Sequence, residues 1–315
     1  MSLFLAPFPE NYLIRIDEVS EQKADDFNAP GTLLHSYSFE DWRAGVLPPF
    51  RKIASTKSGM VLLNAFRATG KWTRIRPVSE PKCNAETSIA PTKDTVGRYY
   101  NAQVRFDPRM YMSGSQCYVR RLKEQPKPRA ALPDEVLFHE LIHAYRDLFY
   151  LDSGNKHLHG GLKRYEIVDD FFAIVLTNIY ISDASNRHSS GLRADHDGYR
   201  PLEKELSNSF TFYQSSPQVL PLMTQLIKEN YNLAFELSRV KAGCNPLAAY
   251  FQNYRAVEAL SQSFLAKRRE VLIENLRVPA RLPMPPLPTV PEATALEAAA
   301  KFLGDAALAI LKTGF

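Results

Sequence analysis

Residues 133–149 read Pro-Asp-Glu-Val-Leu-Phe-His-Glu-Leu-Ile-His-Ala-Tyr-Arg-Asp-Leu-Phe, and this stretch decides the fold. Proline is favoured in the first turn of a helix, and acidic residues suit the positive end of the helix dipole. Apolar residues then recur at helical spacing from Val136 to Leu148. The pattern predicts one helix that ends near Phe149, before the Asp-Ser-Gly-Asn run at 152–155.

The helix carries the pattern His-Glu-x-x-His. His139 and His143 stand four residues apart, so their imidazoles project from one helix face. Two such nitrogens can reach one Zn²⁺ ion at about 2.0–2.1 Å. The adjacent Glu140 can act as general base toward a water that zinc acidifies. The alternative is a pair of ordinary helix histidines, but the apolar helix and the strands expected before it favour a zinc peptidase.

A second helix is expected from about Glu166 to Ile181, and its acidic start offers a third zinc ligand. The helix is strongly apolar after Asp170, which predicts that it is buried. A carboxylate that enters a buried helix needs a partner. We favour Asp170 as the third ligand and Glu166 as the next candidate, one helical turn away. Capping of the helix start explains Glu166 and Asp169 equally well.

Other polar residues near these helices could complete the site. Either loop histidine, His157 or His159, could replace the acid, although exposed loop histidines are the simpler interpretation. Asp147 could orient a metal-bound imidazole, or it could be a surface acid. The polar run at 192–199 could polarise an oxyanion or form a structured turn. Its candidate donors are His196, Arg193 and Tyr199.

The order of elements predicts an α+β fold, with a small mixed sheet preceding two metal-binding helices and a helical C-terminal region. A helix capped by Ser55 or Thr56 is expected to end near Gly70. Alternating residues predict strands at 72–76 and 99–107, and the polar stretch 79–98 is expected to form turns.

The sequence pattern divides the chain into four predicted regions. Residues 1–45 are expected to form a lead-in segment, and residues 46–277 the catalytic domain. The linker 278–291 is expected to be stiff, because six prolines fall within 279–291. Residues 292–315 are expected to form an amphipathic helix.

Composition limits the partners and the setting. The net charge of +5 is spread out without a basic run, which argues against a nucleic acid partner. No uninterrupted apolar stretch is long enough to predict a membrane span. The N-terminus lacks the features of a removable Sec signal. The three cysteines are widely spaced, so we expect reduced thiols in a reducing cytosol.

The run His-Glu-Leu-Ile-His-Ala, followed by a helix of the form acid-Phe-Phe-Ala, resembles the Glu-zincin metallopeptidases. More narrowly, residues 55 to about 202 resemble the NleD-like bacterial effector metallopeptidases and related toxin domains. The segments that carry this likeness are 55–59, Leu62-Leu63, 104–108, 139–144, 169–173 and 192–196. Zincins of this type usually use Glu as the third ligand, and the matching residue here is Asp170.

The resemblance implies a zinc peptidase made in the bacterial cytoplasm and exported by a specialised secretion system. It would cleave proteins or peptides of a host or rival cell. The C-terminal helix would contact a secretion-machine component or a chaperone, and an immunity protein would be a further partner. The alternatives are an intracellular peptidase with a housekeeping role and a non-enzymatic adaptor of zincin shape.

Overall fold

The computed structural model describes residues 8–16, 39–78, 84–93, 99–112, 115, 117, 123, 131–149, 156–196 and 200–262. It divides the chain into two units, Met1–Lys267 and Arg268–Phe315, and every described residue belongs to the first. The predicted linker at 278–291 and the amphipathic helix at 292–315 lie outside the described residues.

The described part contains helices and strands in mixed order. The helices are α1 (Phe39–Ala54), α2 (Lys57–Thr69), α3 (Pro133–Asp147), α4 (Val168–Ile181), α5 (Val219–Glu229), α6 (Tyr231–Ser238) and α7 (Pro246–Gln252). The strands are β1 (Ile14–Ile16), β2 (Thr73–Arg76), β3 (Glu86–Lys93) and β4 (Tyr99–Arg105). This composition confirms the predicted α+β class, the small sheet before the two central helices, and the helical region that follows them.

The four strands form one mixed sheet in the order β1-β2-β4-β3. β1, β2 and β4 are parallel, and β3 runs antiparallel to β4. The expectation of turns throughout 79–98 is wrong, because β3 lies within that stretch. Its polar composition suits an edge strand, where one side has no strand partner in the described sheet. The predicted lead-in segment 1–45 contains regular structure of the fold, since it supplies β1 to the sheet and the first turns of α1.

Helix α3 lies between the sheet and α4, and it contacts β3, β4, α1 and α4. Its side chains Leu137, Phe138, Leu141 and Ile142 are fully buried, and Phe138 stacks on Tyr180 of α4 with ring centroids 4.3 Å apart. His139 and Glu140 are also buried. Helix α4 is buried along nearly its whole length, as its apolar sequence predicted. The two helices therefore place polar groups in an otherwise apolar interior, where each needs a partner.

The corner between α1 and α2 follows from local capping. Thr56 is the N-cap of α2 and accepts a hydrogen bond from the Gly59 backbone N–H at 3.0 Å. Asp183, which follows α4, accepts hydrogen bonds from the backbone N–H and the hydroxyl of Ser58. Gly70 ends α2 in the left-handed region, where glycine is favoured. These bonds tie the start of α2 to the end of α4.

We expect Gly59→Ala to lower the free energy of unfolding by about 3 kcal/mol, the upper end of the usual cost of overpacking, since the added methyl strains the backbone. A Cβ atom on Gly59 would lie 1.9 Å from the Ile53 carbonyl oxygen, so the corner must open. Chemical denaturation measures the loss. Gly161→Ala is the control, because its Cβ would have no neighbour nearer than 3.9 Å. Equal unfolding free energies for the two variants would contradict this account of the corner.

Two further observations concern the predicted setting. Cys117 is disulfide-bonded, so the expectation of three reduced thiols is wrong for this residue, whereas Cys244 is a buried free thiol. Burial raises the pKa of the Cys244 thiol to about 12. Within the described part of the chain, no helix combines the length and apolar character that a membrane span requires.

Candidate metal centre

The two histidines of α3 converge with Asp170 of α4. The Nε2 atoms of His139 and His143 lie 3.1 Å apart, and Nε2 of His143 lies 3.4 Å from Oδ1 of Asp170. One ligand atom from each of the three residues falls within 4.8 Å of the other two. The helix pair thus brings together the two histidines and the acid that the sequence favoured as third ligand.

These distances fit a shared metal ion. Ligand atoms at about 2.0–2.1 Å from a tetrahedral ion would lie about 3.3–3.4 Å from each other. Two imidazoles and one carboxylate are a donor set that catalytic Zn²⁺ accepts, with a fourth position left open. The geometry is therefore that of a site able to hold a divalent metal.

Asp170 is the ligand candidate with the fewest other partners. It is buried, and its carboxylate makes no hydrogen bond within the described part of the chain. Burial raises the pKa of Asp170, and the positive charges of His196 and His143 oppose the rise. A buried carboxylate without a donor is costly unless a cation compensates it. His143 and His196 both face this carboxylate, and a divalent cation between them and Asp170 could compensate its charge as well.

Glu140 lies beside the two histidines and is fixed by the edge strand. The Thr87 hydroxyl of β3 lies 2.7 Å from Oε2 of Glu140 and 3.0 Å from its carbonyl oxygen. Burial raises the pKa of Glu140, while the charge of His143 and the Thr87 bond oppose the rise. Thr87 was not predicted, because it lies in the polar stretch that was interpreted as turns.

Asp169, rather than Asp147, contacts the imidazole of His143. Its carboxylate makes a short contact with Nδ1 of His143 and accepts a hydrogen bond from Nε of Arg146. A carboxylate on the far nitrogen of a metal-binding imidazole fixes the ring and increases its basicity. Asp147 is partly buried one turn away, and burial together with the charge of Asp169 raises its pKa to about 6. The suggested orienting role of Asp147 is thus taken by its neighbour across the helix interface.

The pair of His143 and Asp169 has opposed pKa shifts. Burial disfavours the charged imidazole, but the bond and charge of Asp169 outweigh it and raise the pKa of His143 to about 9. Burial also opposes the charge on Asp169, yet His143 and Arg146 lower its pKa to about 2. His139 differs, because burial and then the charge of Arg193 lower its pKa well below the ordinary value. At neutral pH, His143 carries a proton that a metal ion must displace.

We expect metal binding at pH 7 to release about one proton, because His143, whose pKa is raised to about 9, is almost fully protonated there. Apparent metal affinity should rise about tenfold per pH unit up to pH 9 and then level. In Asp169→Asn the pKa should return toward about 6.5, and release should fall to roughly a quarter of a proton. Calorimetry in buffers of different ionisation enthalpy measures this number. Equal release by both proteins would contradict the assigned pairing.

Arg146 connects this pair to the C-terminal helices. It is buried, it donates to Oε2 of Glu229 at 3.1 Å, and its guanidinium lies 4.6 Å from the ring centre of Phe172. Gln225, one turn earlier on α5, donates to Glu229 at 2.8 Å. A chain of polar contacts therefore runs from α5 through Arg146 and Asp169 to the ligand His143.

Arg193 contacts the other histidine. Its Nη2 lies 2.7 Å from Nδ1 of His139, and its Nη1 donates to the carbonyl oxygen of His196 at 3.0 Å. A guanidinium cannot accept a hydrogen bond, so Nδ1 is the acceptor in this contact. Metal binding through Nε2 would place the ring proton on Nδ1, and Arg193 would then have to turn away. The Thr177 hydroxyl oxygen, 3.4 Å from Nδ1, can accept a hydrogen bond from this Nδ1–H.

The remaining candidates occupy different places. The sequence predicted that α4 begins near Glu166, but Glu166 lies in the turn before this helix. It is exposed and does not belong to the group of His139, His143 and Asp170. His196 lies near Asp170, with the nearest nitrogen 3.6 Å from Oδ1. His157 and His159 are exposed and belong to neither described group of metal-ligand candidates. Tyr199 lies outside the described residues.

Comparisons with protein-family models, with curated proteins and with solved structures find no match for this chain. A function can therefore be proposed only from the residues of this chain and their geometry.

Proposed function

We propose that this chain is a zincin-like, zinc-dependent peptidase. The observation that carries the proposal is the convergence of His139, His143 and Asp170 on one point beside Glu140. All four residues lie on two packed helices, so they are held by the core rather than by loops. Such rigid placement is what a hydrolytic metal site requires.

A zinc ion held by these residues would lower the pKa of a water molecule and polarise the carbonyl of a peptide bond. Glu140 then takes up the proton from the attacking water and delivers it to the leaving amine. Its raised pKa brings its proton affinity closer to neutral pH, where such transfers are efficient. Thr87 holds the carboxylate in place, and His196 can donate to the oxygen on which negative charge develops.

The edge strand supports a peptide as the substrate. β3 has no strand partner on its outer side in the described sheet, and its Thr87 touches the proposed base. Ser88 and Ile89, which follow Thr87, are exposed at this edge. An extended peptide that pairs with β3 would gain backbone hydrogen bonds and place a carbonyl near Glu140.

The resemblance to NleD-like effector metallopeptidases supplies the setting that we propose. In that setting, the chain is a bacterial effector or toxin exported by a specialised secretion system, and it cleaves proteins of a host or rival cell. A secretion component or chaperone would contact the segment 292–315, and an immunity protein would protect the producing cell.

The test is metal content, measured by mass spectrometry on the purified full chain and on His139→Ala. We expect about one tightly held zinc per wild-type chain, and none in the variant. His157→Ala is the matched control, because His157 is an exposed histidine outside both ligand groups. Zinc-free wild-type protein after incubation with zinc would refute the proposal.

A second step tests hydrolysis. Cell lysate proteins are incubated with the zinc-loaded chain, and new peptide termini are identified with and without a chelator. We expect chelator-sensitive cleavage. Zinc binding without cleavage would favour the adaptor, and cleavage without toxicity in a susceptible cell would favour the housekeeping peptidase.

A further inference from the structure

A second group of metal-ligand candidates adjoins the first. Glu166, Asp170 and His196 each offer one ligand atom, and these atoms lie within 4.8 Å of one another. Oδ1 of Asp170 is 3.4 Å from Nε2 of His143 on one side and 3.6 Å from Nε2 of His196 on the other. The same buried oxygen therefore faces two imidazoles, and only one of them belongs to the first group.

The contacts of His196 are too long for hydrogen bonds, and they involve Nε2 toward Asp170 and Nδ1 toward Glu166, so only one of the two ring nitrogens can bind a common ion. Nδ1 of His196 lies 3.6 Å from Oε1 of Glu166, and the ring makes no hydrogen bond within the described part of the chain. Protein N–H···O hydrogen bonds are usually 2.7–3.2 Å long. Two ligands of one metal ion stand about 3.3 Å apart. The spacing leaves room for a cation among the three side chains.

Backbone hydrogen bonds hold the main chain at both Glu166 and His196. Glu166 has φ 61° and ψ −75°, the centre of a tight turn that the Ile167 N–H closes on the Tyr165 carbonyl at 2.8 Å. This conformation is rare for a residue other than glycine and costs about 1–3 kcal/mol. His196 is fixed by its N–H to the Arg164 carbonyl at 3.2 Å and by Arg193 on its own carbonyl. The two residues therefore approach Asp170 from separate segments, each with its backbone held by hydrogen bonds.

The charge of the surroundings favours a divalent cation. The groups that face Asp170 and the histidines include more carboxylates than guanidiniums. The carboxylates are Glu140, Glu166, Asp169 and Asp170, and the guanidiniums are Arg146 and Arg193. Arg193 is the cation nearest to His196 and opposes a second metal ion. With both guanidiniums counted, the four carboxylates leave a charge of −2, which one divalent ion neutralises, so a second ion must bind more weakly than the first.

We propose that Glu166, Asp170 and His196 form a second divalent-metal position, with Asp170 as the carboxylate shared by both. This inference rests on the proposed function, since it extends the same metal centre. One imidazole and two carboxylates are a harder donor set than that of the first position, which suits Mn²⁺ or Zn²⁺. The more exposed Glu166 leaves coordination positions for water, so the second ion binds more weakly than the first. When His196 holds this ion, the ion replaces the His196 N–H in stabilising the negative charge that develops on the substrate oxygen.

The test is a titration of the full chain with Mn²⁺ and, separately, with Zn²⁺, followed by equilibrium dialysis and elemental analysis. We expect two ions per wild-type chain with different affinities. Glu166→Gln and His196→Asn should each lose the weaker ion and keep the tighter one. Two Mn²⁺ ions that share Asp170 should also show magnetic exchange coupling in electron paramagnetic resonance, a readout that needs no variant.

The controls separate the failure of this inference from that of the proposed function. His159→Asn removes an exposed histidine outside both groups and should leave both ions in place. One ion per wild-type chain, unchanged in Glu166→Gln, would overturn the second position and leave the peptidase proposal standing. The second position would also be overturned if Glu166→Gln still binds two ions and these ions show no magnetic exchange coupling. No bound ion would refute both.

Discussion

Glu140→Gln is expected to lower the rate of peptide hydrolysis by about 10²–10⁴-fold, the contribution of a general base, without lowering the metal content. Glutamine keeps the size of the side chain and an oxygen for the Thr87 hydroxyl, but it cannot take up a proton. The loss should therefore appear in kcat rather than in metal affinity. Cleavage of a substrate found in the lysate experiment measures kcat, and elemental analysis measures the metal.

Two further variants sharpen this result. Glu86→Gln makes the same chemical change one residue before Thr87, on an exposed side chain paired with Arg105, and should leave the rate unchanged. Thr87→Val removes a bond that lowers the pKa of Glu140, so the acidic limb of the pH–rate profile should move to higher pH. A Glu140→Gln enzyme with wild-type kcat would exclude Glu140 as the base.

Helices and strands could be predicted from the sequence where residues close together in the chain determine them. The spacing of His139 and His143 fixes one helix face, and Thr56 and Gly70 fix the two ends of α2. β2 and β4 were predictable because polar or charged residues alternate with apolar or β-branched ones along both strands. β3 was missed because an edge strand can be polar, and its identity depends on pairing with β4 rather than on its own composition.

The surroundings of the ligands could not be predicted, because they come from distant parts of the chain. The contacts of Arg146 with Asp169 and Glu229 span 23 and 83 residues. The periodicity of a sequence predicts whether a charged side chain points inward or outward, but it does not predict which charged residues form ion pairs with each other. The sequence suggested Asp147 as the acid beside His143, and only the helix interface shows that Asp169 contacts this imidazole instead.

Arg146→Met is expected to lower the free energy of unfolding by about 3–5 kcal/mol, the usual result of removing one partner of a buried ion pair. Methionine retains much of the packing against Phe172, so the loss comes chiefly from the charges of Asp169 and Glu229. Denaturation in the presence of a chelator measures this loss without a contribution from metal binding. Arg239→Met is the matched control, because Arg239 forms an exposed pair with Glu236 at 3.6 Å. Such surface pairs contribute about 0–1 kcal/mol.

The same variant tests whether α5 supports the metal centre as well as the fold. Without Arg146, Asp169 loses the group that holds its second oxygen, and His143 becomes less well oriented. Loss of a partner that orients a metal ligand typically lowers metal affinity by about 10–100-fold. Glu229→Gln removes only the α5 end of this chain of contacts and keeps Arg146 on Asp169, so its affinity should fall less. Wild-type metal affinity in a folded Arg146→Met protein would show that Asp169 orients His143 without help from α5, and that Arg146 serves stability alone.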